Sequence, residues 1–106
     1  MSDKKLVIRP EAERDITEAF FWYESKLVGL GVDFLLQVEI GLESISKEPH
    51  LTRLSYLGTR RHLLKRFPYS IVYLENHSKL VVLGVFHGKR NPEQISKRID
   101  AFDTQA

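Results

Sequence analysis

Two apolar runs, Tyr69 to Glu75 (YSIVYLE) and Lys79 to His87 (KLVVLGVFH), flank Asn76-His77-Ser78, and this stretch restricts the possible folds more than any other. The first run alternates, with Tyr69, Ile71 and Tyr73 on one face of a strand and Ser70, Val72 and Leu74 on the other. Asn and Ser in the connection turn the chain back. The second run is apolar on both faces, as in a central strand covered on two sides. A β-hairpin is therefore expected in the middle of a sheet, and the rest of the chain has to cover it.

The N-terminal half supplies helices. Lys5 to Arg9 (KLVIR) is a short strand by its apolar and β-branched content. Pro10 then opens a helix, and Glu11, Glu13 and Asp15 suit its positive end. Ala12, Ile16, Ala19, Phe20, Tyr23 and Leu27 recur at helical spacing, which predicts a first helix from about Pro10 to about Leu27. Val28 to Gly31 breaks the pattern. A second helix, started near Asp33 and ended by Pro49, buries Phe34, Leu35, Val38, Leu42 and Ile45. Gly41 beside that stripe is expected to let the first helix approach closely.

Beyond a loop at Pro49 to Thr59, the run from Thr59 to Arg66 (TRRHLLKR) is a strand by context, and Phe67-Pro68 forms a corner into the hairpin. Asn91, Pro92 and Gln94 spell a helix start, and Ile95, Ile99 and Phe102 give that short C-terminal helix one apolar face.

With 106 residues the chain is expected to be one domain, large enough to bury a single core. Cysteine is absent, which excludes disulfides, cysteine zinc sites and a thiol nucleophile. The histidines at 50, 62, 77 and 87 show no metal-ligand spacing, so no metal site and no cofactor are expected. The N-terminal MSDKKLVIRPEAERD has no apolar run of signal-peptide length, and no stretch approaches a membrane span, which leads to the expectation of a cytoplasmic protein. Charge is strongly segregated. Six basic and ten acidic residues lie from Met1 to Glu48, whereas eight basic residues and one acid, Glu75, lie from Pro49 to Pro92. A one-sign stretch of this kind suits an anionic partner.

The expected fold is α+β, in the order β-α-α-β-β-β-α: a helical hairpin packed on a curved antiparallel sheet, with a short C-terminal helix. This order, together with RRHLLKRFPYSIVY (Arg60 to Tyr73) and LVVLGVFHGKRNP (Leu80 to Pro92), resembles the RelE/ParE superfamily of toxins from bacterial type II toxin–antitoxin modules. The resemblance covers nearly the whole chain. It implies a toxin neutralised by an antitoxin whose C-terminal segment wraps it, and one of two targets. RelE-like members cleave mRNA on the ribosome without metal; ParE-like members poison DNA gyrase. RelE-like nucleases place a functional Tyr or His near the C-terminus, and EQISKRIDAFDTQA after Pro92 has neither. They are also usually more basic than a net charge of +2. The ParE-like branch is therefore favoured, with the mRNA endonuclease as the alternative and a non-toxic binding module of the same fold as a third reading.

Each reading designates residues. Metal-free RNA cleavage needs a proton acceptor, a proton donor and positive charge for the phosphorane, which His87, Arg61 and Arg66 would provide. His87 on a strand face with Val81, Leu83 and Val85 also has a structural reading, as a strand-end histidine. Arg60, Arg61, Lys65, Arg66, Lys89 and Arg90 would hold an anionic ligand or an acidic antitoxin segment. Phe21, Trp22, Leu36 and Ile40 lie off the core stripes, either covering a neighbouring element or forming a protein-contact surface.

Overall fold

The computed structural model describes residues 4–88 and 92–105. In chain order the elements are β1 (Lys5–Ile8), α1 (Pro10–Lys26), α2 (Leu30–Lys47), β2 (Arg60–Leu63), β3 (Tyr69–Asn76), β4 (Lys79–His87) and α3 (Pro92–Gln105). The fold is α+β, in the element order the sequence predicts. The strands stand in the order β1-β4-β3-β2. The pairs β2–β3 and β3–β4 are antiparallel, but β1 runs parallel to β4, from Lys5 opposite Lys79 to Ile8 opposite Val82. The sheet is therefore mixed rather than antiparallel throughout. The α1–α2 hairpin carries the chain from one edge of the sheet to the other, so β1 enters beside β4 and gives that apolar strand a neighbour on each side.

Both faces of the sheet are covered. On one face, Ala12, Ala19 and Tyr23 of α1 and Phe34, Val38 and Ile45 of α2 pack on Ile71, Tyr73, Leu80, Val82 and Val85. Tyr23, Phe34 and Phe67 meet with ring centroids 4.9 to 5.5 Å apart, in the range where aromatic pairs add to area burial. On the other face α3 lays Ile95, Ile99 and Phe102 over Val72, Leu74, Val81, Leu83 and Phe86. A helix of this length is marginal by itself in water. Fully burying a side chain such as Ile95 contributes about 1.5 to 3 kcal/mol, and the partly buried Ile99 and Phe102 add less, so docking on the sheet is what holds α3 in place.

The junction between the helices departs from expectation in three ways. Helix α1 stops at Lys26, and Leu27 takes extended backbone (φ −160°, ψ 126°), which swings its side chain off the core stripe into solvent. Helix α2 begins at Leu30, earlier than Asp33. Its first N–H groups are capped from α1, where the Glu24 carboxylate accepts from Gly29 N and Gly31 N at 2.9 Å each. The close approach of α1 occurs at Gly31, where a Cβ would stand 2.6 Å from the Phe20 carbonyl oxygen. Gly41 instead faces the sheet, where a Cβ would meet Ile71 Cδ1 at 2.8 Å and His62 Cδ2 at 3.1 Å.

Strand β2 is shorter than the Thr59 to Arg66 run, because Leu64 already turns toward β3 and Arg66 has a left-handed φ of 71°. The loop before it is tied to the core by the Tyr73 hydroxyl, which donates to Pro49 O at 2.9 Å.

Candidate functional site

The register of β4 decides where His87 points. Val72 stands opposite Gly84 and Tyr73 opposite Val82, so Leu83 is an extra residue in the ladder, a β-bulge. A single inserted residue exchanges the faces of everything after it. Leu80 and Val82 face the helical hairpin, Val81 and Leu83 face α3, and after the bulge Val85 faces the hairpin while Phe86 faces α3. His87 follows Val85 onto the hairpin face. It does not share a face with Val81 and Leu83, as strict alternation predicts. It lies opposite Tyr69, with ring centroids 5.2 Å apart in an edge-to-face arrangement.

Trp22 of α1 completes an open cleft at this corner. Two adjoining hollows of about 290 and 340 Å³ meet at Trp22, Tyr69 and His87. The first continues past Asp15 and Glu18 of α1, and the second past Tyr23 and Pro68. Burial, and secondarily the Tyr69 phenol, raises the Tyr23 hydroxyl above its ordinary pKa, so it stays a neutral hydrogen-bonding group.

Beside the cleft, β4 has a free edge, since β1 accompanies it only as far as Val82. A buried peptide group left unpaired costs about 1 to 3 kcal/mol. Two side chains stand in for the missing strand. Val85 N donates to Asp15 Oδ2 at 2.9 Å, and Arg98 Nη1 donates to Leu83 O at 2.9 Å. The same guanidinium pairs with both Asp15 oxygens, at 3.0 and 3.1 Å, and lies 4.9 Å over the Phe86 ring. Gly84 makes this possible, because a Cβ there would stand 2.7 Å from Arg98 Nη1. Sequence reasoning missed this clasp although a signal was present. Asp15 falls on the stripe of Ala12, Ile16 and Ala19, and Arg98 on that of Ile95, Ile99 and Phe102, so two opposite charges occupy core-facing positions.

The predicted basic residues divide between the two faces. Arg60 and His62 turn toward α2, whereas Arg61, opposite Val72, and Leu63, opposite Ser70, turn to the other face. Arg60 is partly engaged, donating to Thr52 O. His62 lies half-buried beside Gly41, and burial lowers its pKa. Lys65 is exposed. Arg66 holds its left-handed backbone in the β2–β3 turn, a conformation that costs roughly 1 to 2 kcal/mol for an L-residue. Its guanidinium lies 3.6 Å from Asp33 Oδ2 and 5.5 Å over the Phe67 ring. His87 and Arg61 thus lie on opposite faces of the sheet. No hydrogen bond or ion pair joins either to Arg66 among the described residues. Lys89 and Arg90, and the capping position Asn91, lie outside the described residues. No group of three or more His, Cys, Asp or Glu able to hold a metal ion occurs among the described residues.

The off-stripe apolar residues face solvent. Phe21 is 64% exposed, Trp22 55%, Leu36 52% and Ile40 49%. Exposed Val32, Leu36 and Ile40 follow one another at intervals of one turn, so α2 carries an apolar ridge along its outer side.

A family model described as the ParE toxin of the type II toxin-antitoxin system, parDE, matches residues 6–92, from β1 to the start of α3. The chain belongs to the ParE toxin family. The matched stretch of this ParE relative includes Trp22, Tyr69, His87 and the bulge, and leaves Arg98 outside. Among solved structures, a chain of the chromosomal ParDE TA system from P. aeruginosa superposes with a TM-score of 0.74, over 82% of this chain and 98% of that chain. Identity to that chain is 14%, so the likeness is one of fold. No curated protein matches in sequence. No helix among the described residues is long and apolar enough to cross a membrane.

Proposed function

We propose that this ParE-family toxin acts by protein contact in the cytoplasm, poisoning DNA gyrase, and that a co-expressed antitoxin neutralises it in a hetero-oligomer. The observation carrying this reading is the placement of the charged residues. RNA cleavage needs the proton-transfer group and the phosphate-holding cations around one scissile bond. Here His87 and Arg61 stand on opposite faces of the sheet, and Arg66 is paired with Asp33. The apolar ridge Val32, Leu36 and Ile40, by contrast, is the kind of surface that protein partners bury. Arg60, Arg61, Lys65 and Arg66, with Lys89 and Arg90, supply positive charge for an acidic antitoxin segment. The membership in a toxin–antitoxin family and the fold shared with a ParDE chain support such a partner.

The test is induction with and without the neighbouring open reading frame, together with a DNA cleavage assay using purified gyrase. Gyrase-dependent DNA breaks that the antitoxin abolishes are the expected result. Ribosome-dependent mRNA cuts with intact DNA would reject the proposal. One observation favours that second reading: His87 is exposed in an open cleft beside Tyr69. If it held, His87→Ala would abolish toxicity; under the gyrase reading the variant still produces DNA breaks.

A further inference from the structure

We infer that the cleft between Trp22, Tyr69 and His87 receives a cationic side chain, an arginine guanidinium by preference, presented by a protein partner. Its walls are three aromatic rings, and Glu18 stands on its rim, one turn before Trp22 on the same side of α1. Glu18 carries no hydrogen bond or ion pair among the described residues. A carboxylate beside aromatic faces attracts a planar cation, which can stack on a ring and pair in its plane.

The molecule already uses this chemistry nearby. Arg98 lies over Phe86 and pairs with Asp15, and Lys26 Nζ lies 4.9 Å over the Trp22 ring. Asp15 is saturated by Arg98 and the Val85 N–H, so of the two described carboxylates lining the cleft Glu18 is the one left for a visitor. That charge opposes a phosphate and favours a cation, which separates an arginine-bearing partner from a nucleotide. The inference does not depend on the identity of the toxin's target.

Trp22 is the single tryptophan, so its fluorescence reports directly on the cleft. The full chain is titrated at constant ionic strength with N-acetyl-arginine amide, with the neutral isostere N-acetyl-citrulline amide, and with AMP. A saturable change with the arginine probe and none with citrulline is the expected result. Glu18→Gln, at an exposed position, should weaken the arginine probe about fivefold while leaving the thermal unfolding curve unchanged. Equal responses to arginine and citrulline would overturn the proposal. A saturable response to AMP with none to arginine would mark the cleft as a base-stacking site and overturn it too. Unaltered arginine binding by Glu18→Gln removes the electrostatic basis and has the same consequence.

Discussion

His62 is held where protonation is unfavourable. It lies half-buried between Ile71 of the neighbouring strand and the backbone of α2 at Gly41, and burial lowers its pKa from 6.5. Between the lowered folded value and 6.5 the unfolded chain binds more protons, so the stability associated with neutral His62 is present above pH 6.5 and is lost as pH falls through the folded value. Melting temperature should therefore decline from pH 7.5 to 5.5, and His62→Gln should flatten the decline. Glu75 acts in a separate window. Burial would raise its pKa, but hydrogen bonds from Lys4 and His50 outweigh this and lower it from 4.5. Its stabilising effect is present above pH 4.5 and disappears in stronger acid, outside the range that reports on His62. Sequence alone could name His62 as titratable and place it in a strand. It could not show that Gly41 leaves the space the imidazole fills, because that depends on how α2 lies across the sheet.

Helix α3 depends on the elements it docks against. Its apolar face meets one side of β4, and the Arg98–Asp15 pair ties it across the free edge of β4 to α1. Asp15→Asn removes the charge that Arg98 faces at a partly buried site, so a loss of about 1 to 3 kcal/mol is expected in denaturant unfolding. Amide exchange should accelerate in α3 and at Val85, while β1 keeps its protection; uniform acceleration would show that the clasp has no local role. Helices and strands were legible here because apolar periods are local. The clasp was legible only as a pair of charges on two core stripes 83 residues apart. Knowing that they meet requires knowing that β1 ends at Val82 and leaves β4 with unpaired groups. The parallel placement of β1 was hidden for the same reason, since nothing within Lys5 to Ile8 specifies which strand it joins.

At the scale of the molecule, two kinds of surface are segregated. Basic residues concentrate on β2 and the turn after it, and apolar residues stand in a row on the outside of α2. Leu36 and Ile40 are about half exposed and belong to neither buried cluster, so replacing both by Lys should change unfolding free energy by no more than about 0.5 kcal/mol per site. Neutralisation by the antitoxin, toxicity, or both should nevertheless fall, as measured by colony counts after induction and by co-purification. Full toxicity and full neutralisation in the double variant would remove the ridge from the functional surface. Sequence reasoning identified these residues by their distance from the core stripes, but could not decide between a covered helix and an exposed one. The second helical layer is what decides it. Helix α3 covers the opposite face of the sheet, so nothing within the described residues lies over the outside of α2.

The bulge at Leu83 makes the cleft a matter of counting as much as of chemistry. Leu83 is buried under α3, on the far side of the sheet from Trp22 and Tyr69. Yet its presence sets whether the residues after it fall on odd or even positions of the pleat, and so which side of the molecule His87 inhabits. A chain lacking that one leucine could keep every aromatic ring and still have no corner at which they meet.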